Sequence, residues 1–240
     1  MKAFLAHLRL ELALLARNGE SLLLTLGIPV MLLAFFANVD VLPIDGEPID
    51  FLAPGVLALA VLSTSLVNLA IGTSFEREYG VLKRLGSTPL GRPRLLAAKT
   101  TSILVVQVLQ ITVLWLLALA LDWEPSVEPA AFVAALLLGT IACAGIGFCI
   151  AGRLPALVTL AAANGLYLVL LLLSGMVIPL DELPGSARAV ARALPSGALA
   201  EAVRGALTDG VDIPGRAWWV LGAWAIAAPA AATRLFRWEA

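Results

Sequence analysis

Six long stretches without a charged residue divide this sequence: Ser21 to Val39, Phe51 to Phe75, Thr100 to Leu121, Pro129 to Gly152, Leu154 to Leu180 and Ala217 to Thr233. A helix needs roughly 20 mostly apolar residues to cross about 30 Å of hydrocarbon, and within lipid every backbone polar group must be satisfied internally. The runs therefore predict an all-α polytopic membrane protein, a single domain over residues 1–240. Its six transmembrane helices are expected at about 21–39, 51–75, 97–121, 129–152, 155–179 and 217–236. The last run is the shortest, but Trp218 and Trp219 at one end and Phe236 and Trp238 at the other extend it as an interfacial belt. Only Arg153 and Pro155 interrupt the chain between the fourth and fifth runs, which predicts a tight helical hairpin.

Orientation follows from Lys and Arg, which cytoplasmic loops carry in excess. With the N-terminus in the cytoplasm, the inner side gathers Lys2, Arg9 and Arg17, then Arg77, Lys83, Arg84, Arg92, Arg94 and Lys99, then Arg153, then Arg234 and Arg237. The two short outer loops hold only acids: Asp40, Asp45, Glu47 and Asp50 in one, Asp122, Glu124 and Glu128 in the other. Both termini are thus expected in the cytoplasm. Residues 2–17, with Phe4, Leu5, Leu8, Leu12 and Leu15, read as an interfacial helix on which His7 is an interfacial polar residue. Charges at Arg9, Glu11 and Arg17 argue against a cleavable signal peptide. Cys143 and Cys149, six residues apart in one helical run, point in different directions and read as packing residues.

Between the second and third spans lies the one long basic, polar interruption, FEREYGVLKRLGSTPLGRPRLLAAK from Phe75 to Lys99. Phe75, Tyr79 and Leu82 recur at i, i+4 and i+7, which predicts an amphipathic helix over 76–85. Glu76 and Glu78 at its front and Lys83 and Arg84 at its back suit the helix dipole, and Gly86 and Pro89 end it. A second polar-patterned segment, 184–207, precedes the last span and reads as two short helices divided by Pro195. Arg188 and Arg192 sit at i, i+4 there, and Glu201 and Arg204 at i, i+3. The pair forms a hairpin that lies on the outer surface or re-enters the membrane, with Ala198, Leu199, Ala202, Val203, Ala206 and Leu207 as its buried face.

The chemistry is defined as much by absence. No GxxxxGK[ST] or strand-linked GxGxxG motif provides a nucleotide site, and no HExxH, paired-Cys or GxSxG pattern provides a metal or catalytic one. Bases form no excess over acids (16 against 17), and no basic tail or aromatic-interleaved basic patch points to nucleic acid. No span holds a charge near its middle, where an ion-coupled transporter places its Asp, Glu, Lys or Arg. The in-span polar residues are neutral: among them Asn68, Gln107, Gln110, Asn164, Tyr167 and Ser174, which either bond between helices or line a pathway for a large apolar molecule. Ala131, Ala135, Gly139, Cys143, Gly147 and Ala151 recur every four residues, a small-residue stripe that lets another helix approach the fourth span.

With FEREYGVLKRLGSTPLGRPRLLAAK and the ending SGMVIPLDELPGSARAVARALPSGALAEAVRGAL, the whole chain resembles the permease of ABC transporters of the exporter type 2 family. The resemblance implies a drug- or lipid-efflux subunit in a bacterial-type cytoplasmic membrane. Such a chain is no enzyme and holds no cofactor; ATP and Mg would be bound by two copies of a separate ABC-type ATPase. A second permease, identical or related, would pair with it through the first and fifth spans. Residues 76–85 would be the coupling helix in a groove of the ATPase, with Tyr79 and Leu82 as apolar anchors and Glu76, Lys83 and Arg84 as rim charges. Asn164, Tyr167 and Ser174, together with Asn68, Gln107 and Gln110, would supply the pathway. Other readings of the same features are a polysaccharide exporter of that family and a membrane scaffold that moves nothing.

Overall fold

A computed structural model describes residues 19–36, 47–86 and 91–236, which contain no strand and are almost entirely helical. The expected interfacial helix 2–17 with His7, the loop acids Asp40 and Asp45, and Trp238 lie outside the described residues. Helix α1 covers Gly19–Phe36. A continuous rod follows, made of α2 (Pro48–Leu62), a π-helical stretch (Ser63–Asn68) and α3 (Leu69–Glu78). A short α4 (Val81–Gly86) precedes α5 (Arg92–Ala120), α6 (Pro129–Ala151) and α7 (Ala156–Leu172). The chain then forms a 3-10 turn at Leu180–Glu182, α8 (Gly185–Ala193), α9 (Pro195–Leu207) and α10 (Gly215–Leu235).

Proline marks most of these starts. Pro48, Pro93, Pro129 and Pro195 occupy the first or second helical position, and Pro155, Pro184 and Pro214 immediately precede α7, α8 and α10. A missing N–H costs nothing in a first turn, and the fixed φ preorganises it. Among the described residues, three helices, Pro48–Glu78, Pro93–Ala120 and Pro129–Ala151, are long and apolar enough by length and composition to cross a membrane. At 1.5 Å per residue, the 31-residue rod is about 46 Å long and exceeds the hydrocarbon thickness.

Helix α6 forms the centre, and the small-residue stripe accounts for it. Ala135, Gly139, Cys143, Gly147 and Ala151 are all buried. A Cβ on Gly139 would lie 2.7 Å from Leu199 of α9, one on Gly145 would lie 2.6 Å from the backbone of α10 at Pro229, and one on Gly147 would lie 2.9 Å from the Leu66 carbonyl of the π-helical stretch. The Leu199 side chain and the backbones of α10 and the π-helical stretch thus press directly on one helix, the close packing that stabilises helix pairs where lipid removes the hydrophobic incentive.

The 184–207 hairpin divides into two unlike halves. In α9, Ala198, Leu199, Ala202, Val203, Ala206 and Leu207 are all buried, and the helix is enclosed by α2, α6 and α10. Its last carbonyls are satisfied by the loop before α6, where Ser126 N–H donates to Leu207 and Glu128 N–H to Ala206. Helix α8 is largely exposed. The local pairs expected from spacing give way to tertiary ones: Glu201 holds Arg216 of α10 at 2.7 and 2.8 Å, and Arg188 pairs with Asp181. Arg204 instead donates to the Gly175 carbonyl at 3.0 Å and lies 4.1 Å over the Phe51 ring. Helix α7 ends at Leu172, short of the expected 179, because Ser174 and Gly175 turn the chain: Ser174 Oγ accepts from Met176 N–H and Gly175 takes φ +74. That turn rests on α2, where a Cβ on Gly55 would lie 2.1 Å from the Met176 carbonyl oxygen.

Candidate coupling site and intramembrane polar seam

At the end of the rod that carries Glu78, three consecutive charged residues reach three different elements. Glu76 pairs with Lys99 of α5, its two carboxylate oxygens 2.8 and 2.7 Å from Nζ. Lys99 is only 2% exposed and Glu76 23%, so this ion pair is an internal tie. Arg77 Nη2 donates to the Leu154 carbonyl at 2.6 Å, in the hairpin between α6 and α7. Glu78 Oε2 accepts from Ala156 N–H at 3.0 Å, taking one of the donors that the first turn of α7 leaves unpaired.

The rod then breaks. Tyr79 N–H still bonds to Phe75, but Gly80 takes φ +72, a backbone region that only glycine enters without strain, and α4 starts afresh at Val81. The continuous amphipathic helix expected over 76–85 is therefore two pieces, and the shared face of Tyr79 and Leu82 is lost at the turn. Tyr79 is 73% exposed, with its ring 5.9 Å from that of Phe75. Leu82 is fully buried with Leu69, Leu95, Leu96, Phe148 and Phe236. Lys83 and Arg84 are exposed beside Val81. Leu82 thus packs α4 into the bundle, while Tyr79 before the Gly80 turn and Val81, Lys83 and Arg84 after it are exposed.

A second polar feature crosses the middle of the bundle. Ser63, Thr64 and Ser65 open the π-helical stretch and turn their hydroxyls back onto carbonyls: Ser63 and Thr64 donate to Ala60 at 3.1 and 2.7 Å, and Ser65 donates to Val61. Gln110 and Gln107 of α5 meet this stretch. Gln110 Oε1 lies 2.7 Å from Thr64 Oγ1; Gln107 Nε2 donates to the Val61 carbonyl at 3.3 Å, while its Oε1 accepts from Thr140 of α6 at 2.7 Å. The seam joins α2, α5 and α6 through buried polar side chains.

Of the six residues expected along a pathway, Gln107 and Gln110 are thus gathered in the buried seam. Asn68 closes the π-helical stretch and is half-buried. Ser174 bonds within its own turn, to Leu171 and Met176. Asn164 is exposed on α7, its amide donating one turn back to Leu160, and Tyr167 packs half-buried against the core. The structure does not bring the six into one cluster. Thr140 completes the seam with no signal in the sequence, whereas Arg77 and Glu78, which the sequence reads only as charges of the loop helix, bond to the hairpin before α7; the alternation E-R-E at the end of an apolar run is the available signal for these two.

A family model described as ABC-2 type transporter matches residues 2–208 of the chain. No curated protein matches it.

Proposed function

From the premise that this chain belongs to the ABC-2 type transporter family and is a membrane permease component of an ABC transporter, we propose that it exports an apolar, drug-like or lipid-like molecule, energised by a separate ATP-binding subunit. Two such subunits would serve two permeases, this chain with a copy of itself or with a relative. The six charge-free runs support six crossings, and the placement of the bases supports both termini on the cytoplasmic side. The observation that carries the reading is the exposure of Tyr79, Val81, Lys83 and Arg84 across the Gly80 turn, beside Leu82, which packs into the bundle. An apolar and aromatic centre flanked by cations suits a groove on a partner protein. An apolar cargo is favoured by α7, whose exposed side chains Leu157, Val158, Leu160, Leu168, Val169 and Leu172 are interrupted by the single amide of Asn164.

The test is photocrosslinking. A benzophenone amino acid placed at Tyr79, in cells co-expressing the chain with a candidate P-loop ATPase, should capture that subunit. The same probe at Trp219, exposed on α10, should not. Equal capture at both positions, or none at Tyr79, would remove the docking assignment.

A further inference from the structure

The two residues that end the α2–α3 rod bind not to the element that follows them but to the start of α7. Arg77 Nη2 donates to the Leu154 carbonyl at 2.6 Å, and Ala156 N–H donates to Glu78 at 3.0 Å. Between those two backbone groups lies only Pro155, which has no N–H and a fixed φ. The bonds therefore grip a stiff corner from both sides. Arg77 is itself buried, and three residues beyond it the chain leaves for α4 through the left-handed Gly80. The α2–α3 rod and α7 are also in direct contact along α3 and the π-helical stretch.

We propose that Arg77 and Glu78 are positioning residues that make the rod and α7 one mechanical unit, so that a displacement applied at Tyr79 to Arg84 moves α7 without passing through the lipid-exposed α5. This inference rests on the proposed function, in which that displacement comes from the ATPase. Charge-assisted hydrogen bonds to backbone groups are directional and short, so they transmit a shift of the rod as a shift of the corner. The opposite end of α7 is held on the same rod, by the Gly175 and Met176 turn against Gly55 of α2, and by Arg204 of α9. A shift of the rod thus carries α7 at both ends, and the exposed face carrying Leu157 and Asn164 moves with it.

Leu157, one residue past the corner and exposed, is the reporter. In the reconstituted complex with Cys149 replaced by Ser, Leu157→Cys is labelled with a maleimide in the presence and absence of ATP and vanadate, and the change in labelling rate is normalised to ATP hydrolysed. The intact corner should show an ATP-dependent change. Glu78→Ala and Arg77→Ala should reduce it about tenfold, the factor that loss of one hydrogen bond to a charged group supplies. Glu78→Gln should retain it, because its amide oxygen still accepts from Ala156 N–H, and this rescue separates positioning from a general loss of structure. A full ATP-dependent change in Glu78→Ala, or a Glu78→Gln variant as impaired as Glu78→Ala, overturns the inference alone. An unmutated corner whose labelling never responds to ATP overturns the proposed function and the inference with it.

Discussion

Removing Glu76 should destabilise the protein and removing its partner as well should restore it. Lys99 is 2% exposed and its ammonium lies 2.7 and 2.8 Å from the two Glu76 oxygens. Glu76→Ala therefore leaves a buried ammonium without its carboxylate. Breaking a buried ion pair in this way costs about 3–5 kcal/mol, whereas replacing both members with apolar groups is often neutral. Glu76 keeps 23% exposure, so water partly screens the pair and the lower figure, about 3 kcal/mol, applies. For a chain of this size about 2–4 °C is lost per kcal/mol, which gives a fall in Tm of about 6–12 °C. Thermal unfolding of the purified protein in detergent, followed by tryptophan fluorescence, measures it. Glu76→Ala should show the drop, and Glu76→Ala with Lys99→Met should recover most of it. A single variant as stable as the parent, or a double variant no better than the single, would refute the internal tie. Glu76 would then be available as a docking charge, the role that the family resemblance implies for it.

Two packing predictions use the same assay. Gly55→Ala sets a Cβ 2.1 Å from the Met176 carbonyl oxygen, a backbone atom with no rotamer to yield, and should cost about 3 kcal/mol and lower the folded yield; an unchanged Tm would contradict the close approach. Gln107→Leu removes the bonds to Thr140 and Val61 and should cost about 1 kcal/mol, the scale of interhelical hydrogen bonds in membranes. A loss several times larger would mean that the seam acts as one cooperative unit.

Much of this architecture was legible in the sequence, and the failures have local causes. Helix starts follow from proline, and the central place of α6 follows from glycines and alanines every fourth residue, because both depend on backbone sterics that a residue name specifies. The sequence leaves the burial of α9 open between two placements, since an alanine-rich amphipathic pattern is the same whether lipid headgroups or other helices cover it. Gly80 escapes a periodicity argument because Phe75, Tyr79 and Leu82 keep helical spacing across it; periodicity does not register a single left-handed residue. The π-helical stretch adds one residue to a turn inside a uniformly apolar run, where no face is distinguished, and only the S-T-S hydroxyls mark it. Glu201 and Arg204 illustrate the weakness of local pairing: a surface pair three residues apart stabilises by a few tenths of a kcal/mol, and the bidentate geometry that Arg216 offers outcompetes it. The pathway residues dispersed for a similar reason. A neutral polar side chain within a span bonds to the nearest carbonyl, as Asn164 does to Leu160, whether or not it meets cargo.

The most direct measurement is ATP hydrolysis in proteoliposomes that contain this chain and a candidate ABC ATPase, over a small panel of apolar drugs and lipids, with and without Tyr79→Asp and Lys83→Glu. These two residues are exposed on either side of the Gly80 turn, and Leu82, buried in the bundle, is left untouched. The account predicts hydrolysis that an apolar compound stimulates and that the double variant returns to the rate of the ATPase alone, with membrane insertion preserved. Stimulated hydrolysis that survives in the double variant would contradict the coupling site, and a permease that never alters the ATPase rate would contradict the transporter reading itself.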